Sequence, residues 1–305
     1  MHITIIGGTG HIGKHLVPML VREGHEVTVV SRGKAAFPQD AEWQRVKRVA
    51  VEYGRAGWTE TVQEIGAEVM VDLLQNDSPA LYDAVRASVG HFVVCGSIWM
   101  FGMARVVPTP DRPQGPCLYD GYARRFAQMG EVMKRAKADG VAFTGLMEPN
   151  ICGPGKVPLE GKGGRRIEMH RSHQRGETVI LPAPGNNLVG PCDAEDVARS
   201  FLCAIAERKA AAGELFNVGP AYSLTMNEFI ETYGRIYGVS IPMEYVGWEQ
   251  FTKEVVTEPT AYWHFQYNMC PEIAKISSRL GYRPRFTPEQ TMERAVKWMK
   301  QEELL

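Results

Sequence analysis

Apolar residues follow two alternating patterns along the first 150 residues of the chain. Short, near-continuous apolar runs rich in β-branched residues indicate strands that are buried on both faces, and they occupy residues 1–6, 26–30, 46–51, 68–74, 91–97 and 141–146. Stretches with helical periodicity or composition separate them, at residues 14–22, 59–65, 78–89 and 122–139. Strands that alternate with helices at this spacing predict an α/β fold with a parallel, doubly wound sheet.

A glycine-rich turn joins the first predicted strand to the first predicted helix. A G-x-G-x-x-G pattern runs through it from Gly8 to Gly13. Glycine permits a sharp turn and the close approach of a pyrophosphate, and the N–H groups at a helix start favour an anion. Because strand, turn, helix and second strand follow in order, the turn predicts a dinucleotide site. The predicted cofactor contacts are Gly7, Thr9, Gly10, His11, Ile12 and Gly13, with His11 facing either the cofactor cleft or solvent.

The second predicted strand ends in Ser31, Arg32, Gly33 and Lys34. An NAD enzyme usually carries an acid at this point, which binds the ribose hydroxyls and would repel a 2′-phosphate. A small hydroxyl beside two cations can hold that phosphate instead. Ser31 and Arg32 therefore predict NADP as the cofactor in preference to NAD. The plain alternative is that Arg32 and Lys34 are solvated loop charges.

The pattern changes beyond residue 152. Residues 156–175 are basic and rich in glycine, residues 191–198 open a predicted helix, and residues 214–219 form a predicted strand that returns to the main sheet. We therefore predict a Rossmann domain over residues 1–152, rejoined by about residues 192–220. Residues 153–191 and 221–305 are predicted to form a smaller, interleaved C-terminal substrate lobe, packed by Trp248, Trp263 and Trp298.

Composition and charge exclude several classes of protein. The chain has 305 residues, 44% of them hydrophobic, which suffices for one large core or two modest ones. A formal net charge of -1 argues against nucleic-acid binding through general electrostatics. No apolar run approaches the roughly 20 residues that span a bilayer, and the amino terminus lacks the plan of a signal peptide. We expect a cytoplasmic protein that does not bind membranes.

The six cysteines are scattered, without a C-x-x-C pair. They are predicted to be reduced thiols, mostly buried. Neither the cysteines nor any other cluster has metal-ligand spacing, so we expect no structural or catalytic metal.

Several motifs occur in the order that is typical of one family. They are the glycine turn, Gly96-Ser-Ile-Trp-Met-Phe-Gly102, Asn150-Ile-Cys-Gly-Pro-Gly155, Asp193-Ala-Glu-Asp-Val-Ala198 and Phe216-Asn-Val-Gly219. Together they resemble the extended or atypical short-chain dehydrogenase/reductases, the NAD(P)-dependent epimerase/dehydratase-like proteins. The match reaches to about residue 235 and is weak beyond it. The resemblance implies a Rossmann fold, hydride chemistry at the carboxyl ends of the strands, a small sugar-like or carbonyl substrate, and a homodimer.

The resemblance also implies a catalytic set of a Ser or Thr after the fifth strand, a Tyr, and a Lys four residues beyond that Tyr. Ser97 and Tyr122 match the first two positions, but Phe126 stands where the Lys is expected. A Lys there would lower the pKa of the Tyr, which is ordinarily about 10. Arg125 lies on nearly the same helix face, yet its planar guanidinium does not reproduce a compact ammonium. Tyr122 is thus either an acid-base catalyst or an aromatic residue that contacts substrate or packs in the core. Ser97 either lines the active site or has a hydroxyl that only forms a hydrogen bond at the end of its strand.

Further polar residues are candidates for substrate binding. Asn150 matches a family position that contacts substrate, and the alternative is that it is a plain turn residue. Tyr119 is a second tyrosine that is a candidate for substrate binding. Glu148 is either a general acid or base, or the ion-pair partner of an arginine in the basic segment. His170 and His173 share that segment with Arg165, Arg166, Arg171 and Arg175, and they either bind an anionic group or lie on a solvated helix face.

Three functions are consistent with these observations. The leading hypothesis is an NADP-dependent oxidoreductase or epimerase/dehydratase-like enzyme with an atypical active site that lacks the lysine. The second is a non-catalytic NADP-binding sensor, which Phe126 motivates. The third is RNA binding through residues 156–175, which the near-neutral net charge disfavours.

Overall fold

A computed structural model describes residues 1–34, 37–256, 258 and 260–305 of the chain. The strands are β1 (His2–Ile6), β2 (Glu26–Ser31), β3 (Lys47–Ala50), β4 (Val69–Asp72), β5 (His91–Ser97), β6 (Ala142–Glu148), β7 (Asn150–Cys152), β8 (Val179–Pro182), β9 (Leu188–Val189), β10 (Pro191–Asp193), β11 (Glu214–Asn217), β12 (Leu224–Thr225) and β13 (Met243–Val246).

The helices are α1 (Gly13–Arg22), α2 (Ala41–Gln44), α3 (Trp58–Ile65), α4 (Ser78–Val85), α5 (Asp120–Asp139), α6 (Ile167–Gln174), α7 (Ala194–Ala206), α8 (Arg208–Ala211), α9 (Met226–Tyr237), α10 (Trp248–Gln250), α11 (Trp263–Gln266), α12 (Ala274–Leu280) and α13 (Pro288–Gln301). A 3-10 turn at Ile98–Phe101 and a π-helical turn at Phe251–Val255 complete the regular structure of the described residues.

Seven parallel strands form the central sheet, in the order β11-β6-β5-β4-β1-β2-β3. All four residues of β4 are buried, as a near-continuous apolar run on a two-sided sheet requires. The strand order reverses at β1, which has β2 on one side and β4 on the other. Ligands of such sheets bind outside the carboxyl ends of the strands, at this reversal.

Helices cover both faces of the sheet. On one face α1 packs against α7, where Leu16 and Leu20 of α1 share a core with Phe201 of α7. On the other face α4 and α5 bury Leu81 and Val132. The predicted doubly wound parallel fold is therefore confirmed.

A third core lies outside the central sheet. Residues of β8, β9, α9 and α13 build it, among them Leu181, Val189, Phe229, Tyr233 and Val296. Three two-stranded sheets belong to the same half of the chain: β7 with β10, β8 with β13, and β9 with β12. Between these segments the chain returns to the central sheet, because β11 pairs with β6.

Two of the differences from the predicted element boundaries affect residues of the candidate site. Residues 191–193 do not start a helix: they form β10, and the Asp193 carboxylate caps α7 by accepting the Glu195 N–H at 2.9 Å. Proline is tolerated as the first residue of a strand, so Pro191 does not prevent this pairing. The sixth strand continues to Glu148, which puts that carboxyl at the strand end instead of in a loop.

All six cysteines are free thiols, but the prediction that most are buried is wrong. Only Cys152 and Cys192 are fully buried, and the other four keep partial exposure. Cys95, for example, faces a cavity at the end of β5. In the described part of the chain, none of the helices combines the length and the apolar character that crossing a bilayer needs.

Candidate active site

The glycine turn leads from β1 into α1 with a geometry that needs glycine. Gly7 has a φ of 82°, in the left-handed region that other residues rarely adopt. A Cβ on Gly13 would lie 2.1 Å from the carbonyl oxygen of Gly8. The Gly10 N–H donates to the Gly7 carbonyl at 3.0 Å and closes the turn. The helix can begin this close to the turn because residue 13 carries no Cβ.

The amino end of α1 fits the pyrophosphate of a dinucleotide. Among the described residues, no side chain caps this helix end, where Ile12 precedes the first turn. The first turn of α1 also contains no acidic residue. The partial positive charge of the helix start is therefore uncompensated, which is the condition that favours a bound anion.

A cavity of about 460 Å³ opens beside the turn, at the carboxyl ends of β1 to β4. It brings together five of the predicted cofactor residues: Gly7, Thr9, Gly10, Ser31 and Arg32. Other walls come from residues that the sequence analysis missed, namely Glu52, Tyr53, Trp58, Leu74 and Asn76. Most of them follow β3 or β4 directly, so the shared edge of a parallel sheet was the signal that could have found them.

Two exposed cations stand at the end of β2. The described residues place no carboxylate in an ion pair with Arg32 or Lys34, and the Ser31 hydroxyl accepts the Gly33 N–H at 3.3 Å. One acid does reach the same cavity, from β3: Glu52, whose carboxylate lies 3.3 Å from the guanidinium of Arg55.

His11 and Ile12 direct their side chains away from this cavity. The Nε2 atom of His11 lies 2.9 Å from the carbonyl oxygen of Pro154. Burial lowers the pKa of His11 to about 4, so the neutral ring donates its N–H to that carbonyl. The side chain of Ile12 belongs to the core beneath α1. The His11 ring keeps partial exposure, so the expectation that it faces the cleft or solvent stays a prediction.

A second cavity, of about 440 Å³, opens at the carboxyl ends of β5 and β6. It brings together the predicted residues Ser97, Tyr122, Glu148 and Asn150. Its other walls include Cys95, Trp99, Lys156, Arg165, Trp263 and His264. Because the strands are parallel, both cavities lie along the same edge of the sheet.

Ser97 and Glu148 are opposite each other in the pairing of β5 with β6. The Ser97 hydroxyl accepts the Trp99 N–H at 3.4 Å, which leaves its proton available for another acceptor. The Glu148 side chain is 3% exposed, and neither carboxyl oxygen has a hydrogen-bond partner among the described residues. Burial raises the pKa of Glu148 well above its usual range, which favours its protonated form. The alternative that Glu148 pairs with an arginine of the basic segment is wrong.

Asn150 is the first residue of β7, so it is not a turn residue. It is 4% exposed, and its Oδ1 accepts the Gly190 N–H at 3.3 Å. Its amide group lines the second cavity beside the strand end that carries Glu148.

Tyr122 lies in the first turn of α5 and faces the second cavity. The Cζ of Arg125 is 5.9 Å from the centre of the Tyr122 ring. Burial nevertheless raises the pKa of Tyr122, because the opposing effect of the Arg125 guanidinium is smaller. The position of the expected lysine is filled by core packing: the Phe126 ring meets Phe101 edge-on, with centroids 5.8 Å apart.

An aromatic cluster closes the side of the second cavity. Tyr119 stacks on Trp263 at a centroid distance of 3.6 Å, and Trp99 contacts both rings. Tyr119 is buried behind Trp263 and does not line the cavity within the described residues. Trp263 was predicted only to pack the lobe, but it forms part of the cavity wall.

Two cations of the basic segment reach the second cavity in the described part of the chain, Lys156 and Arg165. The Arg165 guanidinium donates to the carbonyls of Val157 and Ile151 at 2.8 and 2.9 Å, which holds it in place. Burial, helped by the charge of Arg165, lowers the pKa of Lys156 to about 8. The cavity therefore has one cationic region.

His170 and His173 belong to the core of the lobe. Both side chains are fully buried. The Nε2 of His173 accepts the Gly161 N–H at 3.2 Å, and the Nε2 of His170 lies 3.1 Å from the carbonyl oxygen of Pro158. Both expectations for this pair, an anion site and a solvated helix face, are wrong.

The described residues contain no group of three or more His, Cys, Asp or Glu side chains placed to hold a metal ion. A groove of about 740 Å³, larger than either cavity, has Lys134, Lys137, Arg208 and Lys209 among its walls. It lies near the amino end of β6, opposite the edge where ligands of such sheets bind.

The chain is similar to known proteins over most of its length. The family model for the NAD dependent epimerase/dehydratase family matches residues 3–80 and 67–219. UDP-glucose 4-epimerase of Lactobacillus helveticus is 24% identical over 285 residues, which cover 79% of this chain and 83% of the relative. Chloroplast stem-loop binding protein of 41 kDa b from Arabidopsis thaliana is 22% identical over 256 residues, or 79% of this chain and 64% of the relative.

The fold is also similar to solved structures. The crystal structure of UDP-glucuronic acid 4-epimerase from Bacillus cereus, in complex with UDP-glucuronic acid and NAD, matches with a TM-score of 0.74. The alignment covers 99% of this chain and 100% of that chain at 16% sequence identity.

Proposed function

Because this chain belongs to the NAD dependent epimerase/dehydratase family, we propose that it is an epimerase/dehydratase-like oxidoreductase acting on a sugar nucleotide or a similar small carbonyl compound with an anionic group. One observation carries the proposal. A cavity beside an anion-binding glycine turn and a cavity lined by Ser97, Tyr122 and Glu148 open along the same edge of the sheet.

The two regions of the second cavity suggest how the substrate is oriented. Lys156 and Arg165 bind the phosphate or carboxylate of the substrate at the cationic region. Ser97 and Tyr122 donate hydrogen bonds to the reacting oxygen at the uncharged region. When it is bound, the nicotinamide ring supplies or accepts a hydride at the adjacent carbon. Trp99 and Trp263 limit the access of water, which strengthens these polar contacts.

The division into two lobes is part of the proposal. Residues 153–191 and 221–305 form the substrate lobe, because they contribute Lys156, Arg165, Trp263 and His264 to the second cavity. The homodimer implied by the family resemblance also belongs here, and light scattering of the purified protein measures it.

We propose NADP as the preferred cofactor. Arg32 and Lys34 support this choice, since they stand at the end of β2 without a carboxylate partner in the described residues. Glu52 supports NAD instead, because an acid in this cavity can bind the ribose hydroxyls and would repel a 2′-phosphate. The Bacillus cereus relative was also crystallised with NAD. Fluorescence titration with NADPH and with NADH decides between them: tighter NADPH binding is expected, and equal or tighter NADH binding contradicts the preference.

Turnover on a substrate panel tests the proposed reaction. The purified protein is mixed with each dinucleotide and with nucleotide sugars, simple sugars and neutral carbonyl compounds, and both oxidation of the dinucleotide and epimerised products are followed. We expect activity on anionic substrates only. Lys156→Ala should raise KM for them, whereas Lys209→Ala, in the groove at the opposite edge, should not.

A non-catalytic NADP-binding sensor is the second candidate, and Phe126 favours it. Phe126 occupies the lysine position and packs against Phe101, so the usual support for Tyr122 is absent. The sensor hypothesis predicts tight dinucleotide binding without turnover, and biological activity that survives Tyr122→Phe. A large loss in that variant would contradict it.

RNA binding through residues 156–175 is the third candidate, and the Arabidopsis thaliana relative is named a stem-loop binding protein. Residues 156–175 offer little support for it. Arg165 is held by backbone carbonyls, Arg166 pairs with Glu160 and Glu258, and His170 is buried. A filter-binding assay with stem-loop RNA at low salt checks this candidate, and no retention is expected.

A further inference from the structure

Glu148 is a buried acid that the fold leaves without a partner. Other buried acids are satisfied. Glu160 accepts the N–H groups of Lys162 and Gly164 and forms an ion pair with Arg166 at 2.9 Å. Asp72 accepts the Ser78 hydroxyl at 2.7 Å as well as backbone N–H groups. Glu148 lies in the wall of the second cavity, with both carboxyl oxygens buried. Because an unpartnered buried carboxyl costs stability, this placement points to a function at that cavity.

The titratable groups that interact with Glu148 are uncharged at neutral pH. They are the thiols of Cys95 and Cys192 and the hydroxyl of Tyr282, and burial raises the pKa of each well above its ordinary value. His264 faces the same cavity, and burial lowers its pKa to about 4. Lys156 and Arg165 also line the cavity, but neither forms an ion pair with Glu148 in the described residues. Among the described residues, no charged group of a neighbouring element therefore pairs with Glu148.

Tyr122 by itself does not supply a base. With Phe126 in the lysine position, burial raises its pKa, so the phenol keeps its proton and serves as a hydrogen-bond donor. Cys95, His264 and Glu148 line the same cavity and can also exchange a proton. Of these three, strand pairing sets Glu148 directly opposite Ser97.

On the basis of the function proposed above, we propose that Glu148 is a catalytic residue whose carboxyl group exchanges a proton with the reacting oxygen of the substrate. Ser97 and Tyr122 then position that oxygen. In the family, a tyrosine supported by a lysine both binds the reacting oxygen and exchanges its proton. Here Tyr122 binds that oxygen and Glu148 exchanges the proton.

The proton balance of the step is simple. In the reducing direction, a hydride from the reduced nicotinamide dinucleotide forms the new C–H bond at the carbonyl carbon, and the electron pair of the C=O π bond moves onto the oxygen. That oxygen takes the proton from the Glu148 carboxyl, giving an alcohol and a glutamate carboxylate. The carboxylate regains a proton from water. In the oxidising direction, Glu148 first releases its proton to water; its carboxylate then accepts the hydroxyl proton while the hydride passes from the carbon to the oxidised nicotinamide dinucleotide.

The proposal predicts a stability cost that can be measured without any ligand. The folded protein keeps a proton on Glu148 that the unfolded chain releases near its ordinary pKa of about 4.3. The stability that this group contributes is thus complete below that pH and is lost as pH rises toward the raised pKa of the folded state. Glu148→Gln, which is neutral at every pH, should remove this loss and melt at a higher temperature at pH 7.

Three measurements on wild type, Glu148→Gln and Glu148→Asp test the assignment. Infrared spectra of the free protein at pH 7 should show the C=O stretch of a protonated carboxyl, and Glu148→Gln should lack that band. In thermal unfolding at pH 7, Glu148→Gln should melt at a higher temperature than wild type. Glu160→Gln is the matched control, and it should melt at a lower temperature because it breaks a buried ion pair. Turnover should fall about 10²-fold or more in Glu148→Gln and recover in part in Glu148→Asp, with a shifted pH profile.

The outcomes separate this inference from the function it rests on. If wild type turns over a substrate and Glu148→Gln matches its rate, the role of Glu148 is refuted and the proposed function stands. A wild-type protein without the carboxyl band refutes the role as well. If wild type acts on no member of the panel, the proposed function fails, and the catalytic role of Glu148 fails with it.

Discussion

A methyl group at Gly13 would collide with the backbone of the glycine turn. The Cβ would lie 2.1 Å from the carbonyl oxygen of Gly8 and 2.4 Å from its carbonyl carbon. Real Cβ contacts essentially never fall below 3.0 Å, so the turn and α1 must separate by about 0.9 Å in Gly13→Ala. Both sides of the contact are backbone, and no flexible side chain can relieve it.

The displacement has two measurable costs. Overpacking of this kind destabilises proteins by about 1–3 kcal/mol. With an unfolding entropy of about 2.1 cal/mol/K per residue, each kcal/mol lowers the melting temperature of a 305-residue chain by about 1.6 °C. The shift also moves the N–H groups at the start of α1 away from the pyrophosphate. Losing one charge-assisted hydrogen bond costs about 1.5–3 kcal/mol, so dinucleotide affinity should fall at least about tenfold.

Thermal unfolding and fluorescence titration with NADPH check both costs on the same protein samples. Gly130→Ala is the matched control, because a Cβ there has no neighbour within 4 Å. Gly130 lies within α5, so alanine should stabilise the helix by about 0.5–1 kcal/mol and leave binding unchanged. A Gly13→Ala protein that melts and binds NADPH like wild type would refute the assignment of the turn as a pyrophosphate cradle.

Other predictions follow from the charges around the two cavities. Arg32→Glu should weaken NADPH binding by about tenfold or more while changing NADH binding little, since it removes a charge-assisted bond worth about 1.5–3 kcal/mol; equal effects on both dinucleotides in titrations would contradict this. The pKa of Lys156 is about 8, so its ammonium is lost as pH rises through that value, and KM for anionic substrates should rise above pH 8 in steady-state kinetics. Lys156→Arg should abolish that rise, and a rise that persists would exclude Lys156 as its cause. Arg294→Ala should cost about 1.5–3 kcal/mol in urea unfolding, because it removes a 2.9 Å hydrogen bond to the buried carboxylate of Asp193; Arg175→Ala, which breaks an exposed pair, should cost less than about 1 kcal/mol, and similar losses in both variants would refute the distinction.

The parts of this protein that the sequence predicted best are those whose determinants lie close together in the chain. The glycine turn between β1 and α1 is one example, because its backbone conformation depends on Gly7 to Gly13 alone. The parallel sheet is another, since each strand and helix shows its own apolar period. Ser97, Tyr122, Glu148 and Asn150 could be grouped because they follow strands or match motifs, and the carboxyl ends of parallel strands share one edge.

Other features depend on contacts between distant segments, and the sequence misjudged them. His170 and His173 lie in a basic stretch, but packing against α9 places them inside the lobe core, because a helix buries whichever face meets its neighbours. The tertiary structure alone determines which cations of residues 156–175 reach the cavity. Lys156 and Arg165 do so, whereas Arg166 pairs with Glu160.

The sequence by itself determined the fold class and the place of the glycine turn, because both follow from local backbone requirements and from the periodicity of single elements. It left open whether Glu148 is paired, whether Phe126 is a site residue or a core residue, and which way His11 points. The tertiary structure decided these questions. The direction and the protonation of a side chain depend on residues that are far away in the sequence. Folding determines whether those residues come close enough to form hydrogen bonds or ion pairs with it.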